Sequence, residues 1–452
     1  MADAKVTQKI VFKGTLQLDS PLVISSGTEA ENRKNEADIQ ILKDKLERPF
    51  IPGTSLAGVL RDWLSRQDAG LTDCLFGFVD KKVNNRDEVQ SAVAISDVIL
   101  EDTVITVRDG VSIDTYTGTG IKGRKYDYEA LERGARGKFS MTLTVREYQE
   151  RMIPSLEQVI CCLADRLYTG LRVGALTTKG FGQVSVPDVT AYHYDFKNKR
   201  CVMDWLQKKP SSKQYKGRRL EEYTADSFVV DGEFALRTSL LVRDQNENEK
   251  EGNSGLNAVP MKSRNAYLVP GTSLKGVLRH HAEKILDIIG KPAALLDGLM
   301  GYAKEKEKEG RKSRFIVNET YFTEGVRESE QTRIRIDRFT GGTLEGALFT
   351  NKALWQKQEG TPVLKLHFEI SGCKDWEAGL ALFLLKDLWC GKVALGGEKS
   401  IGRGALQGYS ATIVFKGKHY VISPNGNVVE GSREELEQLA AALTGKKEAA
   451  EE

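Results

Sequence analysis

Histidine is scarce in this chain: five in 452 residues, with none before His193. His193, His367 and His419 have no nucleophile or base close by in sequence, and His280-His281 follows the phosphate-facing start of a helix but reads equally as an exposed pair. Histidine-based acid–base chemistry therefore has little to stand on in the first half of the chain. The six cysteines (74, 161, 162, 201, 373 and 390) form no CxxC pair and lack histidines at zinc-ligand spacing. That pattern argues against a zinc site and for reduced, mostly buried thiols, with Cys161-Cys162 in a core. No apolar run is long enough to cross a bilayer. The opening Met1-Ala-Asp-Ala-Lys-Val6 has no apolar signal core, so a cytoplasmic protein without membrane partners is expected. No run closes with the Gly-Lys-Ser/Thr of a P-loop, so nucleotide hydrolysis is not expected.

A dominant charge is also missing. With 66 basic and 63 acidic residues the net charge is +3. A nucleic-acid binder of this balance must gather its cations on one face. The candidate clusters are Lys122-Gly-Arg124-Lys125, Lys208-Lys209 and Lys213 to Arg219, each of which also reads as a solvated loop. The run from Lys304 to Lys312 reads as an exposed loop.

What the chain has is a repetition of itself. Ile51-Pro-Gly-Thr-Ser-Leu-Ala-Gly-Val-Leu-Arg61 returns as Val269-Pro-Gly-Thr-Ser-Leu-Lys-Gly-Val-Leu-Arg279. Ile113-Asp114-Thr-Tyr-Thr-Gly118 returns as Ile336-Asp337-Arg-Phe-Thr-Gly341, and Leu75-Phe-Gly77 as Leu299-Met-Gly301. Lys179-Gly-Phe-Gly182 pairs with Lys399-Ser-Ile-Gly402 on the same count. Blocks in one order at an offset of 218 to 224 residues mean two copies of a whole domain, since solenoid repeats run only about 20–50 residues. A chain of this length also fits two cores better than one.

Each copy opens on a period-two strand. Ile10, Phe12, Leu16 and Leu18 share one face around Gly14, and Phe228, Val230, Phe234 and Leu236 do so around Gly232. The central glycine predicts a bulge or a close backbone approach. Leu56, Val59, Leu60, Trp63 and Leu64 fall at helical spacing after the Pro-Gly block, with Thr54 or Ser55 placed to cap. A second helix carries Leu156, Val159, Ile160, Leu163 and Leu167, and its counterpart runs from Trp376 to Trp389. The plan is α+β: two tandem ferredoxin-like (RRM-like) domains with two helices on one face of a short antiparallel sheet. The expected division is 1–190, a linker at 191–225, a second domain at 226–432, and a C-terminal helix and tail at 433–452.

Two motifs point to chemistry. At Pro-Gly-Thr-Ser, backbone N–H groups, hydroxyls and a helix dipole meet at one point, which suits an anion. Thr54, Ser55, Thr272 and Ser273, with the cations Arg61, Lys275 and Arg279, are the phosphate candidates; plain helix capping is the competing reading. The turns 177–182 and 396–404 are glycine-rich, so backbone can approach a ligand while Lys179, Lys399 or Arg403 meets phosphate.

Taken together, these blocks resemble the RAMP superfamily of CRISPR systems, specifically the backbone subunit of type III effector complexes. Their tandem arrangement is similar to the double-backbone fusion of the D subtype. The resemblance implies a partner set of guide RNA, target RNA and other RAMP subunits. It also implies an inserted hairpin, or thumb, in each domain, expected near Thr115–Tyr126 and Arg338–Phe349. It implies a catalytic aspartate on the loop between the first strand and the Pro-Gly block. Here that loop reads Glu36-Ala37-Asp38-Ile39, so Asp38 is the implied catalyst, and Asn257 stands at the matching place of the second copy. The target's 2′-OH can attack its own phosphodiester once splayed into line, and one carboxylate can act as base or hold a divalent ion, Mg²⁺, against the phosphate. An amide does neither. The Asp114 and Asp337 pair reads as turn-capping. Three other readings stand beside this one: a non-catalytic guide scaffold, a RAMP-type guide-processing endoribonuclease, and an RRM-like binder. The second usually needs an early histidine, and the third lacks its aromatic RNA-stacking strand.

Overall fold

The computed structural model describes residues 5–25, 37–78, 89–114, 117–220, 226–244, 256–302, 309–322 and 324–445. It divides into two compact units: the first falls within 1–108, 126–177 and 181–221, the second within 109–125, 178–180 and 222–452.

In the first copy of the repeat, β1 (Val6–Leu18) is followed by α1 (Gly53–Ser65), β2 (Val93–Ile95), the hairpin β3 (Ile105–Ile113) and β4 (Gly120–Leu131), then β5 (Arg136–Arg146) and α2 (Leu156–Thr169). The closing strand comes in two pieces, β6 (Gln183–Ser185) and β7 (Thr190–Asp195). β1 pairs antiparallel with β5 on one side and with β6 and β7 on the other, and β2 adds to β5. This is the strand order of a ferredoxin-like sheet. Burial alternates along β5, with Phe139, Met141, Leu143 and Val145 inside, as a half-covered strand requires. Leu56, Leu60 and Leu64 of α1 and Val159, Ile160, Leu163 and Leu167 of α2 enter one cluster with Ile10 and Phe12. The break between β6 and β7 faces Gly14, where a Cβ would lie 2.5 Å from Val186 Cγ1. The Thr15 N–H and hydroxyl then donate to the Asp188 carboxylate at 2.6 and 3.0 Å.

The second unit repeats the plan: β9 (Phe228–Leu236), α4 (Gly271–Ile288), β10 (Phe315–Asn318), the hairpin β11 (Val326–Ile336) and β12 (Thr343–Gln356), β13 (Leu364–Ile370), α5 (Asp375–Trp389) and β14 (Leu406–Phe415). β15 (Lys418–Ile422), β16 (Val428–Glu430) and α6 (Arg433–Thr444) follow. β9 lies between β13 and β14, and β10 borders β13.

Three expectations need correction. The stretch 191–225 is not a plain linker: it carries β7, α3 (Lys199–Leu206) and β8 (Gln214–Lys216), and β8 pairs with β7. Strand pairing there rests on backbone bonds, which its polar sequence did not advertise. The hairpins are far longer than 115–126 and 338–349, because their ladders run from 105 to 131 and from 326 to 356. Asp114 and Thr117 in the first copy, and Asp337 to Gly341 in the second, stand at the hairpin tips, while Thr115 and Tyr116 lie outside the described residues. Asp337 Oδ1 accepts the N–H groups of Phe339 and Thr340, and Asp114 Oδ1 accepts that of Thr117. Finally, Thr54 and Ser55 do not cap α1. Its N-cap is Pro52, and they lie within the first turn.

Candidate nucleic-acid interface

Asp38 is exposed and sits at the root of the first hairpin. Its Oδ2 accepts the Asp127 N–H at 2.9 Å. The Ile39 N–H donates to Asp127 O and the Glu129 N–H to Ile39 O, a parallel bridge that ties the loop to β4. The Ile41 N–H donates to Glu129 Oε2 at 3.1 Å. Beneath lie Val23, Tyr128, Ala130 and Phe181, all buried, with the Tyr128 and Phe181 rings edge to face.

The second unit reproduces this arrangement with an amide. Asn257 is exposed, its Oδ1 accepts the Thr350 N–H at 2.8 Å, and its own N–H donates to Thr350 O. Ala258 forms the parallel bridge to Asn351, as Ile39 does to Tyr128. Asp38 and Asn257 therefore hold equivalent places, each side-chain oxygen accepting the matching hairpin N–H, although the N–H that donates back to the hairpin carbonyl is that of Ile39 in the first copy and of Asn257 itself in the second.

The glycine loops correct the pairing read from sequence. Gly182 has φ +78° and a Cβ there would meet Val173 O at 1.9 Å; Gly404 has φ +85° and would meet Leu395 O at 1.9 Å. Their N–H groups donate to Pro21 O and Ser239 O, which are themselves matched. Gly182 thus corresponds to Gly404 rather than Gly402, and Phe181 to Arg403. Phe181 is fully buried, and the Arg108 guanidinium of β3 lies 5.3 Å from its ring centre. Arg108 reaches Glu132 at 2.9 Å with both side chains buried. In the second unit Gln331 replaces Arg108 on the hairpin strand, and Arg403 brings the guanidinium from the loop instead. Arg403 donates to Glu398, Ser239 and Gln331. Both units bury a guanidinium under the glycine loop, from different chain positions.

Arg403 is consequently no phosphate ligand, since it is 3% exposed. Lys275 needs the same correction. It is buried, and its Nζ donates to Phe315 O, Ser313 Oγ and Thr178 Oγ1 at 2.7 to 3.0 Å. Burial, with the charges of Lys179 and Arg279, lowers its pKa to about 7. Lys179 is half-buried, and its short strand pairs parallel with β10. Thr54, Arg61 and Lys399 are exposed, while Ser55, Thr272, Ser273 and Arg279 are half-buried. Arg61 approaches Asp73 at 3.6 Å, and Arg279 donates to Gly301 O and Glu283. The anion-binding start of α1 is already occupied, for the Gly53 N–H donates to Asp97 Oδ1 at 2.8 Å.

A RAMP superfamily model matches residues 15–185 and again 234–407, together more than half of the chain. The chain belongs to the RAMP superfamily. Among its curated relatives is the CRISPR system Cms endoribonuclease Csm3 of Methanocaldococcus jannaschii, 23% identical over 214 residues, which cover 42% of this chain and 83% of that one. The protein of the same name from Mycobacterium tuberculosis is 27% identical over 220 residues, covering 40% of this chain and 88% of its own. A relative that fills less than half of this chain, yet nearly all of itself, is what two RAMP copies in one polypeptide require.

Sequence reasoning missed the surface of the second RAMP hairpin. Arg335, Arg338 and Phe339 are exposed there, Phe339 completely. The run of Arg333, Arg335 and Arg338 was the available signal. In the first RAMP hairpin the cluster Lys122, Arg124 and Lys125 is exposed on β4. The histidines stand apart from Asp38: His193 pairs with Gln8, His281 with Asp387, and His367 with Asp231. Among the described residues no three His, Cys, Asp or Glu gather to hold a metal ion. Mg²⁺ is commonly held by one or two carboxylates together with phosphate oxygens, so the single carboxylate of Asp38 suits an ion shared with RNA.

Proposed function

We propose that this tandem RAMP chain is a backbone subunit of a type III CRISPR effector that holds guide RNA along both units and cuts the paired target RNA at its first. One observation carries the reading: Asp38 and Asn257 fill equivalent places, and only Asp38 has the basic oxygen that cleavage needs. The endoribonuclease names of the Csm3 relatives support it. With Oδ2 held by the Asp127 N–H, Asp38 is fixed at the hairpin root, and Oδ1 can take the proton of the attacking 2′-OH. The oxygen then attacks the adjacent phosphorus, a 2′,3′-cyclic phosphate forms, and the 5′-oxygen leaves. General-base help of this kind is worth about 10²–10⁴ in rate. In the alternative role Asp38 would hold a Mg²⁺ ion instead of taking the proton, and the ion would supply electrostatic stabilisation of the developing charge. The exposed cations of the hairpins, with Arg61, Lys399 and the hydroxyl of Thr54, would hold backbone phosphates, with base pairing reading the sequence. Among the described residues no helix is long and apolar enough to cross a membrane.

The test is Asp38→Asn in the assembled complex, read on end-labelled target RNA. Asn preserves the bond to the Asp127 N–H, as Asn257 shows for Thr350. One cut should slow by at least about 10²-fold, with guide and target binding unchanged. Asn257→Asp should add a cut. If every band survives Asp38→Asn at full rate, the chain is a scaffold.

A further inference from the structure

A groove of about 670 Å³ opens in the second unit between the C-terminal half of α5, β14 and the turn after β15. Leu385, Trp389 and Ile422 wall it, Arg237 and Lys386 stand at its rim, and the turn Pro424–Gly426 closes one end. At the matching place of the first unit the chain itself covers the helix end. Gly170 and Gly391 both follow the second helix and approach the matched carbonyls Val184 O and Leu406 O, so α2 and α5 superpose with Asp165 at Lys386, Tyr168 at Trp389 and Thr169 at Cys390. In the first unit the chain leaves β8 and runs extended over this helix end. The Gly217 N–H donates to Val189 O, the Arg218 N–H to Asp165 Oδ1 at 2.7 Å, and the Leu220 N–H to Thr169 Oγ1 at 2.8 Å. Tyr215 adds its hydroxyl to the same carboxylate at 2.8 Å.

β15 pairs with β14 as β8 pairs with β7, so Ile422 stands where Gly217 does. From there the two copies part. The second turns back at Pro424-Asn425-Gly426 into β16, and no described segment follows the path of Arg218–Leu220. The polarity of the floor is also inverted. Asp165 accepts two hydrogen bonds from the covering strand, whereas Lys386 can only donate, and Arg237 beside it is likewise a donor. An occupant must therefore bring acceptors, and carboxylates answer the positive charges of Lys386 and Arg237 as well as their N–H groups, one of which already reaches Cys390 O at 3.5 Å; an apolar side chain suits the Leu385–Trp389 wall.

We propose that this groove docks an extended, acidic peptide segment of a partner protein, in the manner in which the first unit docks its own residues 217–220. RNA phosphate would also meet Arg237 and Lys386, but the apolar wall and the peptide that covers the matching helix end favour a polypeptide. The proposal rests on the duplicated fold and not on the cleavage reading.

The probes are two labelled pentapeptides added to the full chain at low salt and followed by fluorescence anisotropy. One is acetyl-Lys-Gly-Arg-Arg-Leu-amide, the natural sequence of 216–220; the other has both arginines changed to glutamate. The acidic peptide should bind at least about tenfold tighter, corresponding to about 1.4 kcal/mol. It should also slow thiol labelling of the exposed Cys390, which locates it. Lys386→Asp, a change on the exposed face of α5, should reverse the preference, and Lys386→Ala should weaken it. Equal binding of both peptides, no protection of Cys390, an unchanged preference in either variant, or displacement by a single-stranded RNA of mixed sequence would each overturn the proposal.

Discussion

Replacing Arg108 by Met tests whether the buried guanidinium organises the ground beneath Asp38. Arg108 and Glu132 have side chains 2% and 0% exposed, so neither has water to fall back on. Truncating one partner of such a pair costs about 3–5 kcal/mol, because an uncompensated charge stays behind. The Thr106 hydroxyl, donating to Glu132 Oε1 at 2.5 Å, relieves part of that cost. The contact with the Phe181 ring contributes about 1–2 kcal/mol more when desolvated. In a unit of this size 1 kcal/mol moves the melting temperature by about 2–4 °C, so a loss of about 8–28 °C is expected for the first unit, towards the lower end with the Thr106 bond in place. Hydrogen exchange with peptide resolution assigns it: β4 and the 37–43 loop should lose protection while β13 and β14 keep theirs. Exchange at the Ile39 amide, bonded to Asp127 O, reports directly on the Asp38 loop. The double variant Arg108→Met with Glu132→Leu should recover most of the loss, since an apolar pair carries no desolvation cost. The reasoning fails if Arg108→Met shifts melting by under about 2 °C, or if the double variant is worse than the single.

The exchange of partners between the units can be rebuilt. Arg108→Gln with Phe181→Arg copies Gln331 and Arg403, and should be more stable than the sum of its two single changes by about 1–3 kcal/mol in denaturant melts. Simple additivity would show that the two guanidinium sites are unrelated. Lys275 gives a pH test. Its folded pKa lies near 7, below the 10.5 of a free lysine, so above pH 7 the unfolded chain binds more protons than the folded one. Stability should accordingly rise with pH from about 7 towards about 10, and Lys275→Met should flatten that slope in urea melts across the range. A slope unchanged in the variant would assign it elsewhere.

The sequence by itself determined the duplication, the α+β class, the strands around Gly14 and Gly232, and the helices after each Pro-Gly block. These follow from local periodicity and from motifs repeated at one offset, which need no knowledge of distant contacts. Gly14 illustrates how far that reaches: a glycine inside an alternating strand called for a bulge or a close approach, and the fold supplied the approach of the Val186 side chain. The rest depended on partners far apart in the chain. Hairpin strands exposed on both faces carry no burial pattern, so their length appeared only in the ladder from Val326 to Gln356. The glycine loops were paired two residues out of step because Lys-x-x-Gly recurs by chance; the carbonyls of Val173 and Leu395 fix the register. Lys275 and Arg403 looked like phosphate ligands by charge, yet the tertiary fold buries both and spends their donors on backbone and side-chain acceptors. Asp38 was visible as a loop acid next to a motif. That its carboxylate is held by a backbone amide 89 residues away, and that Asn257 keeps the same bond without the charge, was decided by the folded backbone alone.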